Sequence, residues 1–166
     1  MAFLIGIPVL VVALMLQLAI FSQLTLLSGT SDLILLILVA WSLHERSRSA
    51  WFWALIGGGL VSVISATPAG APLIIYMVIV GAVRFFNRRI LEFPVLGMLI
   101  ATILGTFFQH IVEIVVLFVA GTQLPFSQSM VLVTLPSVLL NLILALPVYA
   151  LVTDLARWVY PVEVQI

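Results

Sequence analysis

Several stretches of this chain are apolar around the whole circumference of any helix they would form; residues 33–43, 73–83 and 131–140 are the clearest. A helix without a polar face suits lipid or the interior of a helix bundle. Charged residues make up only 7% of the chain, whereas a soluble domain carries about 25%. We therefore expect an all-α, polytopic membrane helix bundle in which residues 1–166 form a single transmembrane domain.

Turn signals separate the apolar part of the chain into six segments of unequal length, each expected to be a transmembrane helix. The second to fourth are short: about thirteen residues cover roughly 20 Å, less than the ~30 Å hydrocarbon core. They are expected either to extend into the flanking loops or to sit inside the bundle. A re-entrant hairpin of the second and third would leave Glu45, Arg46 and Arg48 at mid-membrane, which is costly, so full crossing is favoured. The six segments are residues 3–21, 32–43, 51–66, 72–86, 94–120 and 127–151.

The basic residues all lie on one side of this arrangement. The loops 22–31, 67–71 and 121–126 contain none, and lysine is absent from the chain. By the positive-inside rule the arginine side is cytoplasmic, which predicts six spans with both termini in the cytoplasm. The topology determinants are Arg46, Arg48, Arg84, Arg88, Arg89 and Arg157. The aromatic residues at the same boundary, expected as interfacial anchors, are Trp51, Trp53, Trp158 and Tyr160.

The fifth segment carries most of the polar residues that lie within the spans. Its small residues recur every four positions, a spacing that allows close helix packing or contact with a partner helix; they are Gly97, Ala101 and Gly105. The same line continues into an intramembrane polar cluster of Gln109, His110 and Glu113. The cluster could form a ligand pocket or an ion or proton path, but interhelical hydrogen bonding is the simpler interpretation.

Other polar residues within the spans have structural interpretations. Gln17 and Asn141 are isolated amides, each expected to make a packing hydrogen bond, and Pro136 shares the face of Asn141 as a candidate partner contact. Asp32 is expected to be the N-cap of the second helix at the outer surface. Asp154 can pair with Arg157 three residues later. The run of three glycines at 57–59 predicts tight packing.

Several classes of function are disfavoured. The chain has no cysteine, and a His and a carboxylate three residues apart do not make a metal site. Asp32 and Asp154 belong to opposite membrane faces, so they cannot form an aspartyl peptidase dyad. No nucleophile elbow, phosphate loop or dinucleotide fingerprint occurs, and no basic tail suggests nucleic acid. We expect a protein that is not an enzyme, with no cofactor and no metal.

Three parts of the chain resemble the MreD family of bacterial rod-shape proteins. Gln17 followed by residues 24–36 is similar to the family's glutamine, short outer loop and Pro-Asp-Leu-Leu-Leu helix start, with Ser31 in place of the proline. Residues 59–89 follow its Gly-Leu-Leu-x-Asp, Pro-Leu-Gly and Arg-Arg progression, with Val63 in place of the aspartate. Residues 135–149 match its Leu-Pro-Ser-x-x-x-Asn-x-x-x-x-x-Pro-x-Tyr helix most closely.

The resemblance implies a non-enzymatic scaffold or regulatory subunit of the peptidoglycan elongation machinery in the bacterial cytoplasmic (inner) membrane. It implies an MreC-type single-span partner, a RodA-type glycosyltransferase and a class B penicillin-binding protein, with the MreB filament on the cytoplasmic side. It also implies a fold similar to the S-components of energy-coupling-factor transporters. The alternative is that the chain is itself such a substrate-binding subunit for a vitamin, with Gln109, His110 and Glu113 lining the pocket.

The arginine distribution gives a direct test of topology. A reporter that works only outside the cytoplasm should be inactive when it is fused after residue 166, because the C-terminus is predicted to be cytoplasmic. Enzyme activity of the fusion in intact cells is the measurement, and an active fusion would contradict the predicted orientation.

Overall fold

A computed structural model describes residues 2–21, 28–44, 49–65, 67–68, 70–90, 93–122 and 126–160, and these are all-helical apart from short connections. Helix α1 is Ala2–Leu16 and continues into the π-helical turn Gln17–Phe21. The next four helices are α2 (Leu33–Ser42), α3 (Ala50–Ile64), α4 (Ala71–Ile90) and α5 (Pro94–Val119). Helix α6 starts with Phe126–Ser129, passes through the π-helical turn Met130–Thr134 and continues as Leu135–Val159.

The short helix α2 is the core of the bundle. All ten of its residues are buried, and it contacts α1, α3, α4, α5 and α6. Its sequence explains this position, because a helix that is apolar all round gains most when every side is covered. At ten residues it is roughly 15 Å long, about half of the hydrocarbon thickness. The expectation that a short segment sits inside the bundle is therefore met by α2.

Two helices form the long wall of the bundle. Among the described residues, Pro94–Val119 and Ser127–Val159 are long and apolar enough to cross a membrane, and four other apolar helices are shorter. The two long helices pack against each other. Large apolar side chains such as Leu104, Phe118, Ile143 and Leu151 project outward from them and are exposed, as expected of a surface that faces lipid.

Two helices run further than their apolar segments predict. Helix α4 continues to Ile90 and α6 to Val159, because arginine and leucine are good helix formers and no proline interrupts either end. The expected pair at the end of α6 is present, with Arg157 Nη1 3.6 Å from Asp154 Oδ1 and both side chains exposed. Arg46 and Arg48 lie outside the described residues, as do the side chains of Arg88 and Arg89.

An aromatic stack closes the bundle at the end of α2. Trp41 and Trp53 are fully buried, with ring centroids 4.1 Å apart and planes inclined by 4°. Trp41 Nε1 donates to Ser49 Oγ at 3.1 Å, which satisfies the buried indole. The expectation of Trp53 as an interfacial anchor is therefore wrong, whereas Trp51 and Trp158 are exposed.

Helices α3 and α4 approach most closely at one glycine. A Cβ on Gly58 would lie 2.5 Å from the Cα of Leu73, whereas a Cβ on Gly59 would meet nothing within 4 Å. Gly57 faces Ile34 of α2, where a Cβ would be 3.0 Å from Cγ2. The glycine run thus serves tight packing through its first two members, and Gly59 faces open space.

This difference predicts that alanine substitutions at the two neighbouring glycines change the free energy of unfolding differently. Gly58→Ala should lower the free energy of unfolding by about 1–3 kcal/mol, because the backbone of α4 has to move. Gly59→Ala should leave it unchanged or raise it by up to about 1 kcal/mol, since alanine favours helix. Unfolding by SDS titration from mild-detergent micelles is the measurement; equal effects of the two variants would contradict the packing.

Candidate functional site: the capped start of α2

The polar residues of the bundle converge on the first turn of α2. The first four N–H groups of any helix lack partners within that helix, and at membrane depth water is not available to bind them. The burial of α2 therefore requires other side chains to accept these hydrogen bonds. The structure supplies acceptors from the capping residue itself and from two other helices.

Each early N–H group of α2 has a side-chain acceptor. Leu33 N donates to Gln17 Oε1 at 2.9 Å, and Ile34 N reaches the same oxygen at 3.3 Å. Leu35 N donates to Asp32 Oδ1 at 2.9 Å, so the predicted N-cap is confirmed. Asp32 N donates to Asn141 Oδ1 at 2.8 Å.

The second oxygen of Asp32 links α2 to α4 and α5. Asp32 Oδ2 accepts from Tyr76 Oη of α4 at 2.5 Å and from Gln109 Nε2 of α5 at 2.9 Å. Gln109 Nε2 also donates to Glu113 Oε1 at 3.1 Å. We call Gln17, Asp32, Tyr76, Gln109, Glu113 and Asn141 the polar hub.

The hub lies deep in the bundle. Asn141 Nδ2 donates to Thr106 Oγ1 at 3.0 Å, and Thr106 is at the middle of α5, roughly 19 Å from either end. Both Asn141 and Thr106 are fully buried. Because Asn141 also accepts from Asp32 N, the start of α2 is beside the middle of the long α5 helix. Asp32 is thus an N-cap as expected. Its side chain is half-buried, and the expected position at the outer surface stays a prediction.

Two π-helical turns border the hub. The turn Gln17–Phe21 begins at the residue that accepts from α2, and the turn Met130–Thr134 precedes Ser137 and Asn141. A π turn leaves backbone groups outside the regular ladder, and Leu132 O here accepts from Ser28 N at 3.1 Å. The first turn thus holds the first residues of α2 through Gln17, and the second holds the chain before α2 through Leu132.

The chain leading into α2 lies directly against α6. Thr30 N donates to Ser137 Oγ at 3.0 Å. A Cβ on Gly29 would lie 2.6 Å from the backbone nitrogen of Ser137 and 2.7 Å from the Cβ of Pro136. Only glycine permits this approach. Pro136, predicted as a packing or partner contact, is therefore buried under residues 28–30.

The small residues of α5 face the interior. Gly97 and Ala101 are buried, and a Cβ on Gly105 would lie 3.5 Å from Ile79 Cγ2 of α4 and 3.8 Å from Leu35 Cδ1 of α2. Gly105 therefore lies on the side of α5 that packs on α4 and α2. It is placed for packing within the chain.

The predicted polar cluster divides in two. Gln109 and Glu113 join the hub, whereas His110 lies within 3.3 Å of Thr134 Oγ1 through its Nδ1 atom. Sequence reasoning did not connect Gln17, Tyr76 or Asn141 with Asp32. One signal was available in the sequence: an N-cap in an almost wholly apolar chain needs polar partners, and the chain has few amide side chains that could supply them.

A separate apolar groove lies between α1 and α6, with α2 as its floor. Its volume is about 390 Å³. Its walls include Pro8, Val12 and Leu16 on one side and Val148 and Leu155 on the other. The hub is thus polar and filled by its own side chains, whereas the groove is apolar and open.

Comparison with known proteins gives one match. The sequence model of a family described as rod shape-determining protein MreD matches residues 1–159. No curated protein and no solved structure matches the chain.

The hub predicts that the charge of Asp32 matters beyond capping. Asp32→Asn retains an acceptor for Leu35 N but presents an NH₂ group to the donors of Tyr76 and Gln109. We expect a loss of about 1–3 kcal/mol in the free energy of unfolding, the cost of leaving buried donors unpaired. SDS titration in detergent micelles measures it.

The control for this variant is Asp154→Asn, which removes the other described aspartate from an exposed ion pair. Exposed pairs contribute at most about 1 kcal/mol, so this variant should unfold like the parent. If Asp32→Asn also left the free energy of unfolding unchanged, Asp32 would act as a cap alone and the hub would not depend on its carboxylate.

Proposed function

Because the chain belongs to the MreD family of rod shape-determining proteins, we propose that it is a non-enzymatic scaffold or regulatory subunit of the peptidoglycan elongation machinery. The family implies a role in rod shape determination and is a membrane protein family. The more specific proposal, that the chain is a scaffold for cell-wall synthesis, rests on the hydrogen bonding of the polar residues within the bundle.

The observation that carries the proposal is the hydrogen bonding of the hub. Gln17, Asp32, Tyr76, Gln109 and Asn141 all bond to the backbone of α2 or to one another. Such groups hold helices together and leave few polar side chains in the described bundle for binding a substrate. A bundle of this kind offers partners mainly its outer, apolar helix faces.

We propose that the partners dock on these outer faces within the membrane. The outward side of α5 carries Leu104, Phe108, Ile111 and Val115, all exposed. Contact between helices in lipid depends on close packing, which suits the membrane segments of an MreC-type protein, a RodA-type glycosyltransferase and a class B penicillin-binding protein. The MreB filament would be met on the arginine side.

We place the chain in the bacterial inner membrane with six spans and both termini in the cytoplasm. The one-sided arginines support this orientation. Helix α2 covers only about half of the bilayer, so its crossing would be completed by the non-helical residues before Leu33. Backbone without helix is tolerated at such depth where its polar groups are bonded within the protein, and the backbone N–H groups of Thr30 and Asp32 are bonded to Ser137 and Asn141.

The vitamin-transporter alternative has no observation in its favour. It requires Gln109 and Glu113 to line a ligand pocket, yet their amide and carboxylate are bonded to each other and to Asp32. His110 contacts Thr134 on a different helix. The apolar groove is lined by none of the three residues.

Affinity purification of the tagged chain in mild detergent tests the scaffold function. We expect recovery of an MreC-type protein together with a class B penicillin-binding protein. Recovery of paired ATPases, or tight binding of a vitamin by the purified chain, would overturn the proposal. Mass spectrometry of the eluate identifies the partners without assuming which they are.

Substitutions at Gly105 connect the fold with this function. Gly105→Ala should support rod shape in cells that lack the parent protein, because the added Cβ makes ordinary contacts with Ile79 and Leu35. Gly105→Leu should fail, because overpacking here separates α5 from α2 and α4. Cell shape and membrane protein level are measured together; normal rods with Gly105→Leu would contradict the packing.

A further inference from the structure

One buried acceptor in the hub has no donor. Gln109 is 8% exposed, and both hydrogens of its amide are used, one by Asp32 Oδ2 and one by Glu113 Oε1. Its Oε1 atom is buried without a hydrogen-bond partner among the described residues. The hydroxyls of Ser31 and Thr102 are also unpartnered, so neither donates to it. A buried acceptor left unpaired costs free energy, which indicates that a donor is present.

The same place holds two carboxyl groups and no compensating arginine. Asp32 and Glu113 are joined through the single amide of Gln109. Arg157 pairs with Asp154 at the end of α6, neither Asp32 nor Glu113 has an ion pair with a described residue, and the loops 22–31, 67–71 and 121–126 contain no basic residue in the sequence. Two uncompensated anions in an apolar bundle are unfavourable, so one of them is expected to carry a proton.

The surroundings decide which carboxyl group stays ionised. Asp32 accepts from Leu35 N, Tyr76 Oη and Gln109 Nε2, and it lies at the positive end of α2. Glu113 accepts from Gln109 alone in the hub. Hydrogen bonds to the charged form favour that form. Asp32 is therefore the carboxylate and Glu113 the group available for the proton.

We propose that Glu113 is held as a neutral carboxylic acid and donates its proton to Gln109 Oε1. An acid and a primary amide pair through two parallel hydrogen bonds: the amide NH₂ donates to the acid carbonyl, and the acid hydroxyl donates to the amide carbonyl. The first of these is present at 3.1 Å. The second supplies the donor that Gln109 lacks, and Glu113 becomes a proton-binding site that forms part of the packing between helices.

The other titratable groups near the pair are accounted for. Tyr76 donates to Asp32 from α4. His110 on α5 contacts Thr134 of α6, and it is the one nearby group able to carry a proton in place of Glu113. A protonated His110 beside an ionised Glu113 is therefore the competing arrangement, and it leaves Gln109 Oε1 without a donor.

Infrared spectroscopy of the purified full chain tests the proposal. We expect one protonated-carboxyl stretching band at neutral pH that shifts when all glutamates carry a ¹³C-labelled side-chain carboxyl. The band should vanish in Glu113→Gln and persist when the three other glutamates, Glu45, Glu92 and Glu163, are changed together to Gln. Absence of a glutamate band, or its persistence in Glu113→Gln, would overturn the proposal.

Two further measurements keep the test decisive. The shift of the band on ¹³C labelling is measured in the parent protein, so it shows a protonated glutamate even if a variant fails to fold. Glu113→Gln should retain the melting temperature of the parent, since a second amide can make both hydrogen bonds, whereas Glu113→Leu should lower it. A protonated-glutamate band that is absent in the parent and appears in His110→Gln would assign the proton to His110 and overturn the proposal.

Discussion

The constraint on which the bundle depends is the need to satisfy the backbone N–H groups at the start of a buried helix. Helix α2 is buried on every side and begins beside the middle of α5. In a soluble protein, the N–H groups at an exposed helix start can donate hydrogen bonds to water. Here Gln17, Asp32 and Asn141 accept them instead, so the bonds that satisfy one helix also attach it to α1 and α6.

These bonds make the hub both a cap and a junction. The carboxylate of Asp32 caps α2 with one oxygen and binds Tyr76 and Gln109 with the other. Removing it would uncap a helix and release two neighbours at once, which is why its effect should exceed that of an ordinary N-cap. The apolar side chains that remain outside are the surface on which the proposed partners would dock.

Much of the architecture could be predicted from sequence because its causes are local. The apolar runs predicted the six helices, and the sequence around Asp32 predicted the N-cap of α2. The contact of Asp32 with Asn141 could not be predicted, since the two residues are 109 positions apart in the sequence. The same limit applies to Trp53: its position suited an interfacial anchor, but the stack on Trp41 arises only when α2 and α3 meet. The sequence analysis named every residue of the hub except Tyr76. It could not say which of these residues would come into contact with one another.

The wide spacing of the hub along the chain has a consequence for synthesis and membrane insertion. Gln17, Leu33 and Ile34 leave the ribosome early, so the bonds between α1 and α2 can form first. Tyr76, Gln109 and Asn141 follow in that order, and Asp32 N has no partner until the last of them arrives. During that interval the start of α2 is incompletely bonded in the bilayer or its insertion machinery. Termination of synthesis before residue 141 would thus leave a chain in which Asp32 N lacks its acceptor and α2 lacks its attachment to α6, a product that quality-control proteases could recognise by its unfinished backbone bonding.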